Sequence, residues 1–196
     1  MPTINPLNAV RGPANIWVAT FGAAEPAQTN AALILDPVSP WVFVGATQGG
    51  VTWEDDQTVS GTRADQVPDE IGGRVTARKT LVTLNMLEVT LANLVVALNR
   101  FGTTTTPGAG ITVYDPGQYT SGSIPTYSAI LVDGQAPQIS GGGQARKRAI
   151  FRKVLNTNGK VQVDADPTKD TMLAGIFQCY YVSSSISPWI AMDQTA

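Results

Sequence analysis

The side chains that could do chemistry in this chain are few. There is no histidine, and Cys179 is the single cysteine, so the commonest general base and any intrachain disulfide are both excluded. Carboxylates are adjacent at Asp55-Asp56 and at Asp69-Glu70, but neighbours on a strand point to opposite faces and cannot act as an acid/base pair. The apolar setting of Cys179 predicts a buried thiol. We therefore predict that the chain is not an enzyme.

The sequence also contains no complete motif for binding a cofactor or a metal. The glycines at 141–143 lack the lysine and helix that a phosphate-binding loop needs, so we expect no cofactor. Asp164, Asp166 and Asp170 are closely spaced, but the segment lacks the glycine spacing of an EF-hand loop. A calcium-dependent carbohydrate-binding β-sandwich remains a distant alternative, and we predict no metal site.

Charge is distributed in two opposed blocks. Between positions 54 and 70, six carboxylates accompany the single Arg63, and the acidic residues are Glu54, Asp55, Asp56, Asp65, Asp69 and Glu70. The basic block lies within eight positions and comprises Arg146, Lys147, Arg148, Arg152 and Lys153. Either block is also consistent with a solvated surface. The basic block alone is a weak nucleic-acid signal, because the net charge is −2 and the isoelectric point near 5.0.

Composition indicates one soluble domain of 196 residues, with 43% hydrophobic residues and no apolar run long enough to cross a bilayer. The N-terminus lacks the features of a secretory signal. Frequent glycine and proline separate short β-rich runs. The strands predicted from these runs span 15–21, 41–45, 51–54, 57–64, 74–86, 111–114, 128–132, 145–155, 161–164 and 171–182. Asn158-Gly159 predicts a tight hairpin between two of these strands.

The segment RVTARKTLVTLNMLEVTLANLVVALNRFG, residues 74–102, predicts a strand followed by a helix. Its strand alternates polar and apolar residues up to Thr80 and is apolar on both faces afterwards, so something must cover its later half. The helix, at about residues 90–100, has a stripe formed by Leu91, Leu94, Val95 and Leu98. We expect Thr90 to cap its start, Gly102 to end it, and the stripe to cover the preceding strand.

Residues 42–99 carry a resemblance to a known family. Gly45, the Gly49-Gly50-Val51 turn into a strand, the acidic run at 54–56 and the rhythm LE.TL.NL..AL at 87–98 occur in the order seen in the tail tube proteins, or major tail proteins, of long-tailed bacteriophages. The chain resembles that family. The resemblance implies a mainly β fold, a β-sandwich or barrel-like subunit with one flanking helix, and extended loops.

The resemblance also implies a function. Six subunits of such a protein close a ring, and the rings stack into the tail tube through which DNA passes during delivery into the host. The implied partners are copies of the chain, other tail proteins at the tube ends and transiently passing DNA, with no membrane binding. The implied location is the virion tail after synthesis in the host cytoplasm. Another virion β-protein, such as a head-to-tail joining protein, is the alternative.

If the chain is a tail tube subunit, a function can be suggested for each of the two charged blocks. Acidic residues lining the lumen or the ring-to-ring contacts would discourage DNA from sticking, because every fixed cation adds an attraction to phosphate. The basic block is expected to pair with the acidic excursion of a neighbouring subunit. We treat residues 1–196 as one domain, with an N-terminal arm at 1–14 and a C-terminal arm at 183–196, in which Trp189 is expected to dock on a neighbour.

Overall fold

The protein is described by a computed structural model. The described residues are 14–29, 33, 35–65, 67–118, 120, 122–138, 144–158, 160–163 and 170–193. The predicted N-terminal arm at 1–14 and the aspartates at 164 and 166 therefore lie, apart from Ala14, outside the described residues. No helix in the described part is long and apolar enough to cross a membrane.

The described chain is mainly β with one helix, which confirms the predicted fold class at that level. The strands, in chain order, are β1 Asn15–Thr20, β2 Val42–Phe43, β3 Thr47–Ala64, β4 Val67–Met86, β5 Thr103–Gly108, β6 Ile111–Asp115, β7 Ser128–Gln138, β8 Gln144–Asn156, β9 Leu173–Cys179 and β10 Trp189–Asp193. The helix, α1, spans Leu91–Ala97 and lies between β4 and β5.

Eight strands form one antiparallel sheet in the order β2-β1-β7-β8-β9-β4-β3, and β10 adds to β8. One edge of β8 is shared, because β10 pairs with residues 147–151 and β9 with residues 154–156. The sheet curls over itself, so that Trp53 of β3 contacts Trp189 of β10 and Phe151 of β8 without pairing with either strand. This curling produces a sandwich-like body.

Two apolar cores lie on opposite faces of the central strands. The main core lies inside the curled sheet and includes Ile16, Leu84, Ile130 and Phe151, all at 0–1% exposure. The second core lies outside, between the sheet and the β1–β2 connection, and includes Trp17, Trp41, Leu131 and Ile150. Strand alternation supplies both cores at once, since successive residues of β1, β7 and β8 point to opposite faces.

Helix α1 begins as predicted but buries a different face. Thr90 is its N-cap, and the Thr90 hydroxyl accepts a hydrogen bond from the Asn93 backbone N–H at 3.2 Å. The buried residues are Asn93, Val96 and Ala97, whereas Leu91 is 39% exposed, so the predicted aliphatic stripe is not the buried face. The reason is the Asn93 amide, which donates to the carbonyls of Val44 at 2.8 Å and Glu88 at 2.7 Å.

The two remaining expectations for the helix also change. Helix α1 packs against β9 rather than chiefly on β4, the strand that precedes it. It ends at two left-handed residues, Asn99 at φ 56° and Arg100 at φ 53°, and not at the predicted Gly102. Gly102 also has a positive φ, 85°, just before β5 begins its hairpin with β6. A Cβ there would collide with the Asp115 backbone, so a larger residue does not fit at this position.

The hairpin predicted at Asn158-Gly159 is wrong in detail. Residues 161–163 form no strand, and Gly159 lies outside the described residues. The strand before the turn, β8, does pair antiparallel with the next strand of the chain. That strand is β9, which begins at Leu173, twelve positions after the predicted start at residue 161. Asn156 connects the end of β8 to β9, because its Oδ1 accepts hydrogen bonds from the N–H groups of both Asn158 at 3.0 Å and Ile176 at 3.2 Å.

Candidate functional site

The most prominent feature outside the core is a two-stranded arm. We define the arm as residues 57–64 of β3 and 67–78 of β4. Strand β4 pairs with β9 only from Leu81 to Met86, whereas β3 and β4 stay paired out to Ala64 and Val67. The arm therefore projects about 25 Å from the sheet, at about 3.3 Å per residue, and no third strand among the described residues pairs with it.

The arm has one apolar and one polar face, and both are exposed. Val59 lies directly opposite Val75 on one face, and Ile71 lies further out on β4, within the register shift between Gly72 and Val67. These three side chains are 61%, 53% and 58% exposed, respectively. The other face carries Ser60 opposite Arg74. Within the part of the chain that the structure describes, the Val59–Val75 pair is left largely uncovered.

The acidic run at 54–56 is divided by the strand pleat. Asp55 points inward, and its side chain is 17% exposed. Arg78 donates to it from Nε at 2.8 Å and approaches it from NH2 at 2.7 Å, and the Thr80 hydroxyl donates at 2.5 Å. The Arg78 hydrogen bond is the main cause that lowers the Asp55 pKa to about 2, against the opposing effect of desolvation. Asp55 is therefore an internal anion rather than a surface charge.

The other acidic residues separate into two groups. Glu54 and Asp56 are exposed on the outer face of the β3–β4 sheet, opposite Leu81 and Lys79. Asp65, Asp69 and Glu70 lie at the end of the arm, where Glu70 pairs with Arg63 at 3.2 Å. That ion pair is 78% and 54% exposed and contributes little to stability. The six carboxylates thus do not form one patch.

Three arginines of the basic block face the β1–β2 connection. Arg148 is fully buried and binds Asp133 at 2.7 Å, and it also donates to the Leu35 carbonyl at 2.9 Å. Arg146 approaches both Asp133 at 3.2 Å and Asp36 at 3.0 Å. Arg152 donates to Glu25 at 2.5 Å, and this contact raises the Arg152 pKa. These side chains hold Glu25, Leu35 and Asp36 against the sheet.

The two lysines of the block also have partners within the chain. Lys147 lies 3.2 Å from Asp193 across the β8–β10 pair. The Lys153 ammonium lies 4.5 Å from the centre of the Tyr127 ring and donates to the Tyr181 carbonyl at 3.2 Å. Because all five basic residues are engaged inside their own chain, the structure does not present them as a free cationic surface. Their predicted pairing with a neighbouring subunit stays a prediction.

Trp189 is engaged in the same way. Its ring lies 5.3 Å from Trp53 and 6.4 Å from Phe151, and Arg78 stacks over it at 5.5 Å. Residues 189–193 of the predicted C-terminal arm form β10 and pair with β8. The tryptophan expected to dock on a neighbour therefore packs on its own chain, because β10 delivers it to the aromatic cluster.

Chemistry beyond these contacts is sparse. Within the described ranges, no group of three or more histidine, cysteine or carboxylate side chains is placed to hold a metal ion. Burial raises the Cys179 pKa to about 12, which keeps the thiol protonated near neutral pH. An open cavity of about 630 Å³ lies between β3, β7, β8 and β10, lined by residues that include Val51, Trp53, Ala149 and the Lys147–Asp193 ion pair.

Sequence reasoning missed the partner of Asp55 and the apolar face of the arm. Arg78 lies 23 positions from Asp55, and no local pattern links the two. The arm did carry a signal, since Ile71, Gly73 and Val75 alternate with polar or small residues. Only its continuation at residues 74–79 was interpreted, as a strand with one wet side, whereas both sides are exposed.

Comparison with known proteins adds little. No protein-family model matches the chain, and no curated protein matches it. Among solved structures, the crystal structure of an Hcp protein aligns over 93% of this chain and 99% of its own, at 13% identity and a TM-score of 0.34. At that level of similarity we base no inference on the alignment.

Proposed function

We propose that this chain is a structural subunit that assembles with copies of itself into six-membered rings stacked as a bacteriophage tail tube. The tube would conduct the genome into the host. The arm is the observation that carries this proposal. A two-stranded ribbon is marginally stable alone in water, and the exposed aliphatic side chains of the arm, among them the facing pair Val59 and Val75, favour burial against another surface.

The edges of the sheet support assembly as well. Strand β3 is the last strand of the sheet order, so its outer edge, within the described residues, has no strand beside it along Thr47–Ala64. An exposed edge of this length is a template for pairing with another chain. Closing a ring of identical copies satisfies every such edge, because each copy supplies the partner of the next.

The outer face of β3 and β4 is the surface we assign to the lumen. It carries Glu54 and Asp56 with Lys79 beside them, and the neighbouring positions Thr52 and Thr83 are uncharged. A wall with few cations and some carboxylates would not hold the phosphate backbone of passing DNA. The assignment concerns Glu54 and Asp56 only, since Asp55 is internal.

The remaining parts of the proposal follow from assembly as the mechanism. The chain would perform no catalysis and need no cofactor. Its partners would be copies of itself, other tail proteins at the tube ends and DNA in transit, without membrane binding. It would reside in the virion tail after synthesis in the host cytoplasm.

Negative-stain electron microscopy of the purified chain over a concentration series tests the proposal. Long hollow tubes are the expected result, and a regular axial repeat would reflect stacked rings. Single rings that never stack would favour a head-to-tail joining protein instead. Particles of monomer size at every concentration would contradict assembly altogether.

A further inference from the structure

The arm leaves the body at a cluster of side chains contributed by two strands, β3 and β4. Asp55 of β3 accepts hydrogen bonds from Arg78 and Thr80 of β4, and the Gln57 amide donates to the same carboxylate at 3.4 Å. Thr80 is 3% exposed and Arg78 is 42% exposed. The cluster therefore occupies the boundary where the core ends and solvent begins.

Arg78 connects this cluster to the opposite layer of the sandwich. Its guanidinium lies 5.5 Å from the centre of the Trp189 ring on β10. Trp189 is itself fixed between Trp53 and Phe151, at 5.3 and 6.4 Å between ring centres. A carboxylate, a guanidinium and an indole thus join the base of the arm to the body through contacts between side chains.

Strand pairing alone does not determine the direction of the arm at this point. The pairing of β4 with β9 stops at Leu81, immediately after Thr80. Beyond Leu81, the ladder hydrogen bonds that the described residues make are those between β3 and β4, and a two-stranded ribbon twists and bends easily. Contacts at the base of the arm are the remaining restraint.

We propose that Asp55 is a positioning residue that, through Arg78 and Trp189, sets the direction in which the arm leaves the body. The carboxylate holds the guanidinium in the plane from which it stacks on the indole. The low pKa of Asp55 is consistent with this, since the anion persists through the neutral and mildly acidic range. The effect on assembly rests on the proposed function, but the direction of the arm does not.

Distances between spin labels measure that direction without requiring assembly. In a Cys179→Ala background, labels at Thr62→Cys on the arm and Ala174→Cys on β9 report the position of the arm relative to the body in dilute solution. Both sites are exposed. A second pair, Thr20→Cys with Ala174→Cys, reports the body alone.

We expect one narrow arm-to-body distance in the parent, and loss of that single peak in Asp55→Asn. The matched control is Asp56→Asn, which neutralises the adjacent, outward-facing carboxylate and should keep the peak. Arg78→Gln breaks the same contact from the other side and should reproduce the effect of Asp55→Asn. It also serves as the test if Asp55→Asn does not fold.

The inference is overturned if both variants keep the parent's arm-to-body distance. It is also overturned if the body pair changes together with the arm pair, because the contact would then set the shape of the body rather than the direction of the arm. If the parent protein forms no tubes, the proposed function is refuted, but the distance between the arm and the body can still be measured. If tubes form, Asp55→Asn should reduce their yield while Asp56→Asn does not.

Discussion

The side-chain amide of Asn99 pairs with the backbone of Asn156 as another strand would. Asn99 Nδ2 donates to the Asn156 carbonyl at 3.0 Å, and the Asn156 N–H donates to Asn99 Oδ1 at 2.7 Å. Asn99 is also one of the two left-handed residues that end helix α1. A single residue thus ends the helix and attaches it to β8.

Two substitutions at Asn99 separate these contributions. Asn99→Gly keeps the left-handed backbone and loses the amide pair, so we expect the free energy of unfolding to fall by about 1–2 kcal/mol. Asn99→Ala should cost about 1 kcal/mol more, because alanine is strained at positive φ. Chemical denaturation measures both values. Equal losses for the two variants would show that the backbone conformation contributes nothing.

The buried ion pair between Arg148 and Asp133 should be much more sensitive than the exposed pair between Arg63 and Glu70. Arg148→Met leaves a carboxylate that is 2% exposed without its closest cation, and we expect a loss of about 3–5 kcal/mol. Arg63→Met removes one partner of the exposed pair and should cost less than about 0.5 kcal/mol. Thermal unfolding of the two variants checks this contrast. Similar losses would contradict the assigned burial.

Asp55 should make stability depend on pH. Its folded pKa of about 2 lies below the ordinary value of 3.8, so the contact stabilises the fold above about pH 4 and the effect fades as pH falls through 2. We expect Asp55→Asn to cost about 1–2 kcal/mol at pH 7, discounted for the partial exposure of Arg78. The difference from the parent should vanish near pH 2. Urea unfolding at several pH values measures it, and a difference independent of pH would refute the ionic contact.

Reversing the charge of the assigned lumen face should make assembled tubes retain DNA. Glu54→Lys combined with Asp56→Lys replaces two carboxylates by two ammonium groups on that face, and retention should weaken steeply with salt. The control, Glu54→Gln with Asp56→Asn, removes charge without adding cations and should retain no DNA. Co-sedimentation with double-stranded DNA measures retention. Equal retention by the two double variants would place these residues away from the lumen.

The strand half of the segment at 74–102 was predictable because its pattern reflects a local cause. Exposure falls sharply at Thr80, as the loss of polar residues predicted, since one face of β4 enters the core there. The cap at Thr90 was predictable for the same reason, because a cap and its partner lie three residues apart. Both of these local patterns survive in the structure.

The parts that were not predictable depend on distant partners. The buried face of helix α1 is set by the Val44 carbonyl, 49 positions from Asn93, so an amide occupies a place that an aliphatic stripe was expected to fill. Asp55 was grouped with its neighbours because Arg78 is 23 positions away. The basic block was interpreted as a surface because Glu25 and Asp133 cannot be assigned to it from spacing alone.

The apolar face of the arm is where assembly can be tested most directly. Val75→Asp places a charge directly opposite Val59, while Ser60→Asp places the same charge on the polar face of the same ribbon. Both sites are exposed, so we expect neither variant to change the free energy of unfolding by more than about 0.5 kcal/mol. Far-UV circular dichroism confirms that each variant is folded.

The decisive measurement is sedimentation velocity of the parent, Val75→Asp and Ser60→Asp over a common concentration series. We predict that the parent and Ser60→Asp convert to large, fast-sedimenting assemblies as concentration rises, and that Val75→Asp stays small throughout. A parent that sediments as a monomer at every concentration, or a Val75→Asp protein that assembles as the parent does, would contradict the central claim that this arm joins copies of the chain.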